Sequence, residues 1–227
     1  TIDAERRFTA DAAHELRTPL AALQAQLQVA QRARDNVERD RSLQQLQSGL
    51  SRAAHLVDQM LQLARLDPES GLPNPQPVDL TALVETVCAE LGPQILARNI
   101  DFSFESTGQA IVTGQAEWLR VLIRNLVDNA VRYTPEGGTV IVRIERQNDH
   151  LTLAVSDSGP GIPPEQRSAV LQRFHRLDQG GQPGSGLGLA IVARIAELHG
   201  APLCLDTSAM TKGLDIRVQF AAHCTAP

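Results

Sequence analysis

The chain has 227 residues, of which 42% are apolar, 21% charged and only 3% aromatic, with a formal net charge of −5. That length suits one medium or two small domains, with cores of Leu, Val, Ile and Ala rather than rings. The acidic balance gives no bulk attraction to nucleic acid or anionic lipid, so no nucleic-acid partner is expected.

Strand signals are almost absent from residues 4–66. Phe8, Ala12, Leu16, Leu20, Leu23, Leu27 and Ala30 form one apolar stripe. Leu43, Leu46, Leu50, Ala53, Val57, Met60 and Ala64 form a second, stepping by threes and fours over roughly three heptads. Polar residues 34–38 suit a turn, so the pattern predicts an antiparallel two-helix hairpin. One hairpin cannot enclose its own seam. Pairing two into a four-helix bundle buries it, so a homodimer is expected; the alternative is packing against the rest of the same chain.

Residues 67–77 hold four prolines without periodicity and read as a linker between residues 1–66 and 78–227. Beyond it, Asp79 or Thr81 can cap a helix to about residue 98, followed by a strand at 100–104 and a long helix at 115–132. Strands are predicted at 139–146 and 151–157, then a Gly/Pro-rich loop at 158–185, a helix at 187–199 and strands at 203–207 and 214–220. This succession predicts an α/β sandwich with helices on one face of a mixed sheet.

Cys88, Cys204 and Cys224 form neither a CxxC pair nor a disulfide framework, which fits a reducing compartment. His223 beside Cys224 makes no metal site. No apolar run reaches the ~18 residues of a membrane-spanning helix, and no signal-peptide pattern is present. The opening Thr1-Ile2-Asp3-Ala4 lacks an initiator Met and already reads as helix, so the chain is expected to be part of something longer.

Four blocks carry chemistry. In His14-Glu15-Leu16-Arg17-Thr18-Pro19, His14 and Thr18 lie one turn apart on a helix face, off the apolar stripe. Pro19 is expected to bend the helix there. An imidazole beside a carboxylate can act as a nucleophile, with Glu15 positioning the ring and accepting its proton; taken alone, an exposed histidine is more often simply solvated. In the second block, Asn125 and Asn129 share a helix face with Asp128 and Arg132. Asn is a poor helix former, and its amide oxygen suits Mg²⁺, while Arg132 can reach a phosphate; an ordinary polar face is the alternative. The third, Asp157-Ser158-Gly159-Pro160-Gly161, puts a carboxylate at a strand end before glycines that admit a ligand such as adenine, or else makes a plain turn. In the fourth, Gly184-Ser185-Gly186-Leu187-Gly188 opens a helix whose amides suit phosphate, without the spacing of a P-loop or a dinucleotide fingerprint. The long loop before it, 159–184, is placed to act as a lid over a nucleotide.

In this order the blocks resemble the H, N, G1 and G2 boxes of sensor histidine kinases in two-component signalling. Leu171-Gln172-Arg173-Phe174-His175-Arg176 resembles the family's F box, and the run from Glu5 to Pro19 resembles the quorum-sensing sensor subgroup. The resemblance implies a dimerisation and histidine-phosphotransfer hairpin joined to an ATP-binding domain of the Bergerat (GHKL) fold. It implies that His14 accepts phosphate, that Glu15 is its acid/base partner, and that Thr18 orients water for dephosphorylating a regulator. Asn129, helped by Asn125, would hold Mg²⁺, and Arg132 and Tyr133 would border the nucleotide. Asp157 would read adenine in a turn shared with Gly159 and Gly161. Arg176 would approach the γ-phosphate, and Gly184, Gly186, Leu187 and Gly188 would line the phosphates of ATP or ADP. Implied partners are a second copy of the chain and the receiver domain of a response regulator. The implied location is the cytoplasmic part of a bacterial inner-membrane protein. Three rivals share some of these features: a GHKL ATPase of another class, a nucleotide-binding scaffold without catalysis, and a serine-modifying kinase of the same fold.

Overall fold

Ala, Leu, Gln and Arg dominate the first 66 residues, and no β-branched run interrupts them. In the computed structural model this stretch is two long helices, α1 (Ile2–Arg32) and α2 (Asn36–Arg65). The structure describes residues 2–33, 35–66, 71–147, 149–177, 185–209 and 213–222, with side chains from Ala10 onward. His223 and Cys224 lie outside the described residues. The chain divides into two compact units, Thr1–Arg65 and Leu66–Pro227.

In the first unit, Asp35 caps α2. Its Oδ1 accepts the Glu38 N–H at 2.7 Å and its carbonyl accepts the Arg39 N–H at 3.2 Å. The turn is therefore tighter than the expected 34–38, because Asn36, Val37 and Glu38 already belong to the helix. Helix α1 runs unbroken through Pro19. Gly49 faces Leu23, where a Cβ would lie 2.9 Å from Leu23 Cδ2; that close approach gives a reason for a residue that costs a helix roughly 1 kcal/mol relative to Ala.

The predicted seam of α2 is only partly covered within the single hairpin. Ala53 and Met60 are buried, as are Leu56 and Leu63, which the seam left out. Leu43, Leu50 and Val57 are 49%, 59% and 39% exposed. A single neighbouring helix covers only one flank of an apolar face, so residues seven apart on the other flank stay in solvent. The same split occurs on α1, where Ala30 is buried while Leu20 and Leu27, also seven apart, are exposed.

The second unit is an α/β sandwich. Its strands are β1 (Gln76–Asp79), β2 (Asp101–Ser106), β3 (Ile111–Gly114), β4 (Thr139–Gln147), β5 (His150–Asp157), β6 (Leu203–Thr207) and β7 (Leu214–Ala221). Five of them form a sheet in the order β2-β4-β5-β7-β6, with β2 parallel to β4 and the other pairs antiparallel. Helices α3 (Leu80–Ala97), α4 (Ala116–Tyr133) and α5 (Gly188–Leu198) pack over the face formed by Val140, Val142, Leu153, Val155, Ile216 and Val218. Helix α3 begins where Asp79 Oδ1 accepts the N–H groups of Thr81 and Ala82. It is long and apolar enough to cross a membrane by composition. Its Leu80, Val84, Val87, Leu91 and Ile95, spaced three or four apart, are nonetheless buried as a core face, and α3 packs on α4 and β2.

The antiparallel β1–β3 pair was not anticipated. Four residues containing a proline carry no readable period, and the strand exists because Val78 meets Val112 and the Leu80 N–H reaches the Ala110 carbonyl at 2.8 Å.

Helices α4 and α5 are tied at one end by His199. Its Nδ1 donates to the Ile195 carbonyl at 2.8 Å and its Nε2 accepts the Gln115 N–H at 3.2 Å. That pair of bonds assigns a neutral ring with its proton on Nδ1. Burial pushes the imidazole below its usual 6.5, against a smaller upward effect of the Ile195 bond. As pH falls, the unfolded chain takes up this proton first. The contribution is therefore complete above about pH 6.5 and is lost below it. Melting curves between about pH 7.5 and 5.5 are expected to show Tm falling more steeply in the unmodified protein than in His199→Gln. Parallel slopes would remove His199 from the acid sensitivity.

Candidate functional site

Helix α4 ends at Thr134, whose backbone turns to an extended conformation while its N–H still reaches the Ala130 carbonyl at 3.0 Å. Arg98 Nη2 donates to the Thr134 carbonyl at 2.7 Å and braces this end. Along α4, Asn125 Nδ2 donates back to the Val121 carbonyl at 2.8 Å. A Cβ on Gly188 would lie 3.2 Å from both Asn125 Oδ1 and Asn129 Nδ2. The first residue of α5 thus sits directly against the two asparagines, where a side chain would crowd their amide groups. The start of α5, which carries the partial positive charge of a helix N-terminus, lies against the amide groups of α4.

Arg132 Nη2 pairs with Asp128 Oδ2 at 2.8 Å, one turn back on the same helix, with both side chains about a quarter to a third exposed. Such a pair contributes under about 1 kcal/mol and holds the guanidinium beside the asparagine face at little cost to its release. Tyr133 is 40% exposed.

The Asp157 carboxylate, at the end of β5, is 7% exposed. Its Oδ1 accepts the Gly159 N–H at 2.8 Å and the Leu214 N–H at 3.2 Å. Burial raises its pKa, the two amide bonds work against that, and the charge of Asp215 raises it further. Gly159 is forced by close approach: a Cβ would lie 2.9 Å from both Asp157 Oδ1 and the Tyr133 carbonyl. The turn after Asp157, which continues through Gly161, therefore touches the end of α4.

The remaining blocks join at a backbone junction. The Phe174 N–H donates to the Gly186 carbonyl at 3.0 Å, with Phe174 at φ +61° and Gly186 at φ +68°. A Cβ at Gly186 would lie 2.8 Å from the Phe174 carbonyl carbon, so this crossing demands glycine. Leu187 is fully buried, and its N–H meets Ser185 Oγ at 3.2 Å. Arg176 is exposed two residues beyond the junction. Gly184 lies outside the described residues.

The lid expected over 159–184 is corrected for its first half. Arg167 donates to the carbonyls of Ile162 and Leu205, to Asp206 Oδ1 and to Thr207 Oγ1, which staples this segment to β6. Val170 is buried under α5. Residues 178–184 lie outside the described residues. Sequence reasoning missed Arg98, Arg167 and the Leu214 amide; isolated arginines and a backbone N–H leave no motif, although Gly213 just before a strand marks a close approach.

In the first unit, His14 is exposed, Glu15 is half-buried and Thr18 Oγ1 donates to the His14 carbonyl at 3.5 Å. Among the described residues no group of three His, Cys, Asp or Glu forms a metal cluster. Among the described residues, Asn125 and Asn129 place hard amide oxygens beside the start of α5.

Residues 4–69 match the family described as the His Kinase A phospho-acceptor domain. Residues 114–223 match the histidine kinase-, DNA gyrase B- and HSP90-like ATPases, so the second unit is an ATP-binding domain. Sensor protein kinase PmrB of Pseudomonas aeruginosa is 43% identical over 219 residues, 96% of this chain and 46% of that protein. Sensor protein QseC of Escherichia coli K12 is 44% identical over 198 residues, 86% of this chain and 43% of that protein. The solved mycobacterial sensor histidine kinase MprB is 34% identical with a TM-score of 0.59, covering 66% of this chain and 98% of that one. The chain belongs to the sensor histidine kinases. It spans about half the length of the curated relatives it matches.

The position of Asp157 yields a prediction about stability. A carboxyl whose pKa is raised on folding opposes folding once it ionises; its contribution is favourable below the unfolded value and is lost as pH rises. Asp157→Asn is expected to raise Tm near pH 7.5 and to lose that advantage near pH 4. A lower Tm at both values would contradict the burial cost assigned to this carboxylate.

Proposed function

We propose that this chain is the autokinase part of its parent protein, which phosphorylates His14 from ATP and passes the phosphoryl group to an aspartate of a response regulator. The observation that carries the reading is the seating of Gly188 against Asn125 and Asn129, with the Asp157 turn touching the end of the same helix. That is a binding site for a nucleoside triphosphate. An exposed histidine beside a carboxylate on a separate helix supplies an acceptor that other ATPases of this fold do not need.

Phosphoryl transfer requires alignment and charge neutralisation more than covalent help. Asp157 accepts a hydrogen bond from the exocyclic amine of adenine, and the amides at Gly186–Gly188 hold phosphate oxygens. Bound Mg²⁺ would supply positive charge that offsets the charge of the phosphates. Asn129 and Asn125 would hold it, and Arg132 and Arg176 would add positive charge. One ring nitrogen of His14 attacks the γ-phosphorus in line, the bond to the β-phosphate oxygen breaks, and ADP leaves. Glu15 orients the ring and takes the proton from the other nitrogen. Thr18 then orients water when the phosphorylated regulator is hydrolysed.

The chain acts as a homodimer. Leu20, Leu27, Leu43, Leu50 and Val57 leave one flank of the hairpin apolar, and a second hairpin covers it in a four-helix bundle. The parent is a membrane-anchored bacterial sensor whose kinase part lies in the cytoplasm.

Incubation with γ-labelled ATP and Mg²⁺ is expected to give a label that is stable to alkali and labile to acid. His14→Ala should reduce labelling by at least about 100-fold while ATP binding persists; an unchanged label sinks the assignment. Thr18→Ala is expected to keep autophosphorylation within about twofold and to slow regulator dephosphorylation by about tenfold or more. Equal losses in both steps would make Thr18 structural.

A further inference from the structure

Asp157 is gripped from two directions. The Gly159 N–H approaches from its own turn and the Leu214 N–H from the first residue of β7, both onto Oδ1. The second amide reaches only because β7 starts hard against β5: a Cβ at Gly213 would lie 1.9 Å from the Asp157 carbonyl oxygen.

A cluster of polar side chains lies on the reverse of the sheet at the same strand start. Successive strand side chains alternate between faces, so the register partners Ser156 and Asp215 project away from the face that carries Asp157. Asp215 is 2% exposed. Ser156 Oγ donates to Asp215 Oδ1 at 2.5 Å, and Arg217 Nη2 forms an ion pair with Oδ2 at 2.6 Å. Arg143 Nη2 donates to Ser156 Oγ at 3.3 Å. A buried carboxylate is a poor way to stabilise a sheet, since an apolar residue fills the same place without desolvating charge. It does fix one register, because a shift of either strand strands the carboxylate without its partners.

We propose that the Ser156–Asp215–Arg217 cluster is a positioning device for base recognition. It locks β7 against β5 so that the Leu214 amide aims the Asp157 carboxylate at the 6-amino group of adenine. The cluster rests on the reading of Asp157 as the group that recognises adenine. The charge of Asp215 also acts on Asp157 through the strand pair, so the two carboxylates are coupled electrostatically as well as by register.

Arg217 is half exposed beside a solvent groove of about 380 Å³ that also touches Arg143, Ala154 and Cys204. Substitution there leaves the helix-covered core intact. The test compares ADP with the analogue lacking the 6-amino group, purine riboside diphosphate, by calorimetry with Mg²⁺ on the full chain. The unmodified protein is expected to prefer ADP by at least about tenfold. In Arg217→Met and Asp215→Asn, ADP affinity should fall about three- to tenfold while affinity for the analogue stays unchanged. Equal losses for both ligands, or no loss for either, overturn the proposal. Should Asp215→Asn fail to fold, Ser156→Ala removes a single hydroxyl and carries the same expectation at about threefold. If the unmodified protein does not distinguish the two ligands, the adenine reading of Asp157 falls first and the cluster proposal with it.

Discussion

The nucleotide-binding unit depends on keeping one carboxylate where water barely reaches it. Asp157 sits at the end of β5, shielded by the turn that follows and by the start of β7. Taking a carboxylate out of water favours its protonated form. Two backbone amides converge on one oxygen to oppose this, and each needs its own strand or turn in a fixed position. Glycine at 159 and 213 follows from the same demand, since any side chain there would collide with Asp157.

The other half of the site is a matter of helix ends. Helices α4 and α5 lie against each other, with Gly188 of one seated on Asn125 and Asn129 of the other. His199, at the far end of α5, grips the start of α4 through Gln115. Fixing the helices at one end sets what can meet at the other. Arg98 serves the same purpose from outside, holding the carbonyl of the capping Thr134 where the chain leaves α4. Residues with no chemistry of their own thus decide whether the asparagines and the phosphate-type helix end share one space.

The hairpin follows a different rule. Its residues at seven-residue spacing divide into a flank that its own second helix covers and a flank left open. Leu56 and Leu63 belong to the first flank, and Leu43, Leu50 and Val57 to the second. The heptad count followed the second flank and passed over Leu56 and Leu63, because periodicity reports that a face is apolar and not which neighbour covers which edge.

Much of this was legible in the chain. The long helices follow from composition and spacing, and most strands of the main sheet from alternating apolar runs between turn residues. His14, Asn129, Asp157 and the glycines near 186 stood out because their residue types suit nucleophile, metal, base and phosphate at local spacing. The β1–β3 pair was not legible, since neither strand has enough residues to show a period. Nor were the Leu214 amide, the Arg167 staple or the buried Asp215, whose partners lie between 2 and 59 residues away on other turns of the path. Local sequence determined the chemistry each segment can offer, because spacing within one helix or turn sets which side chains share a face. Tertiary structure alone decided which of those groups meet and which carboxylate is buried, because those distances are set by packing between segments far apart in the chain.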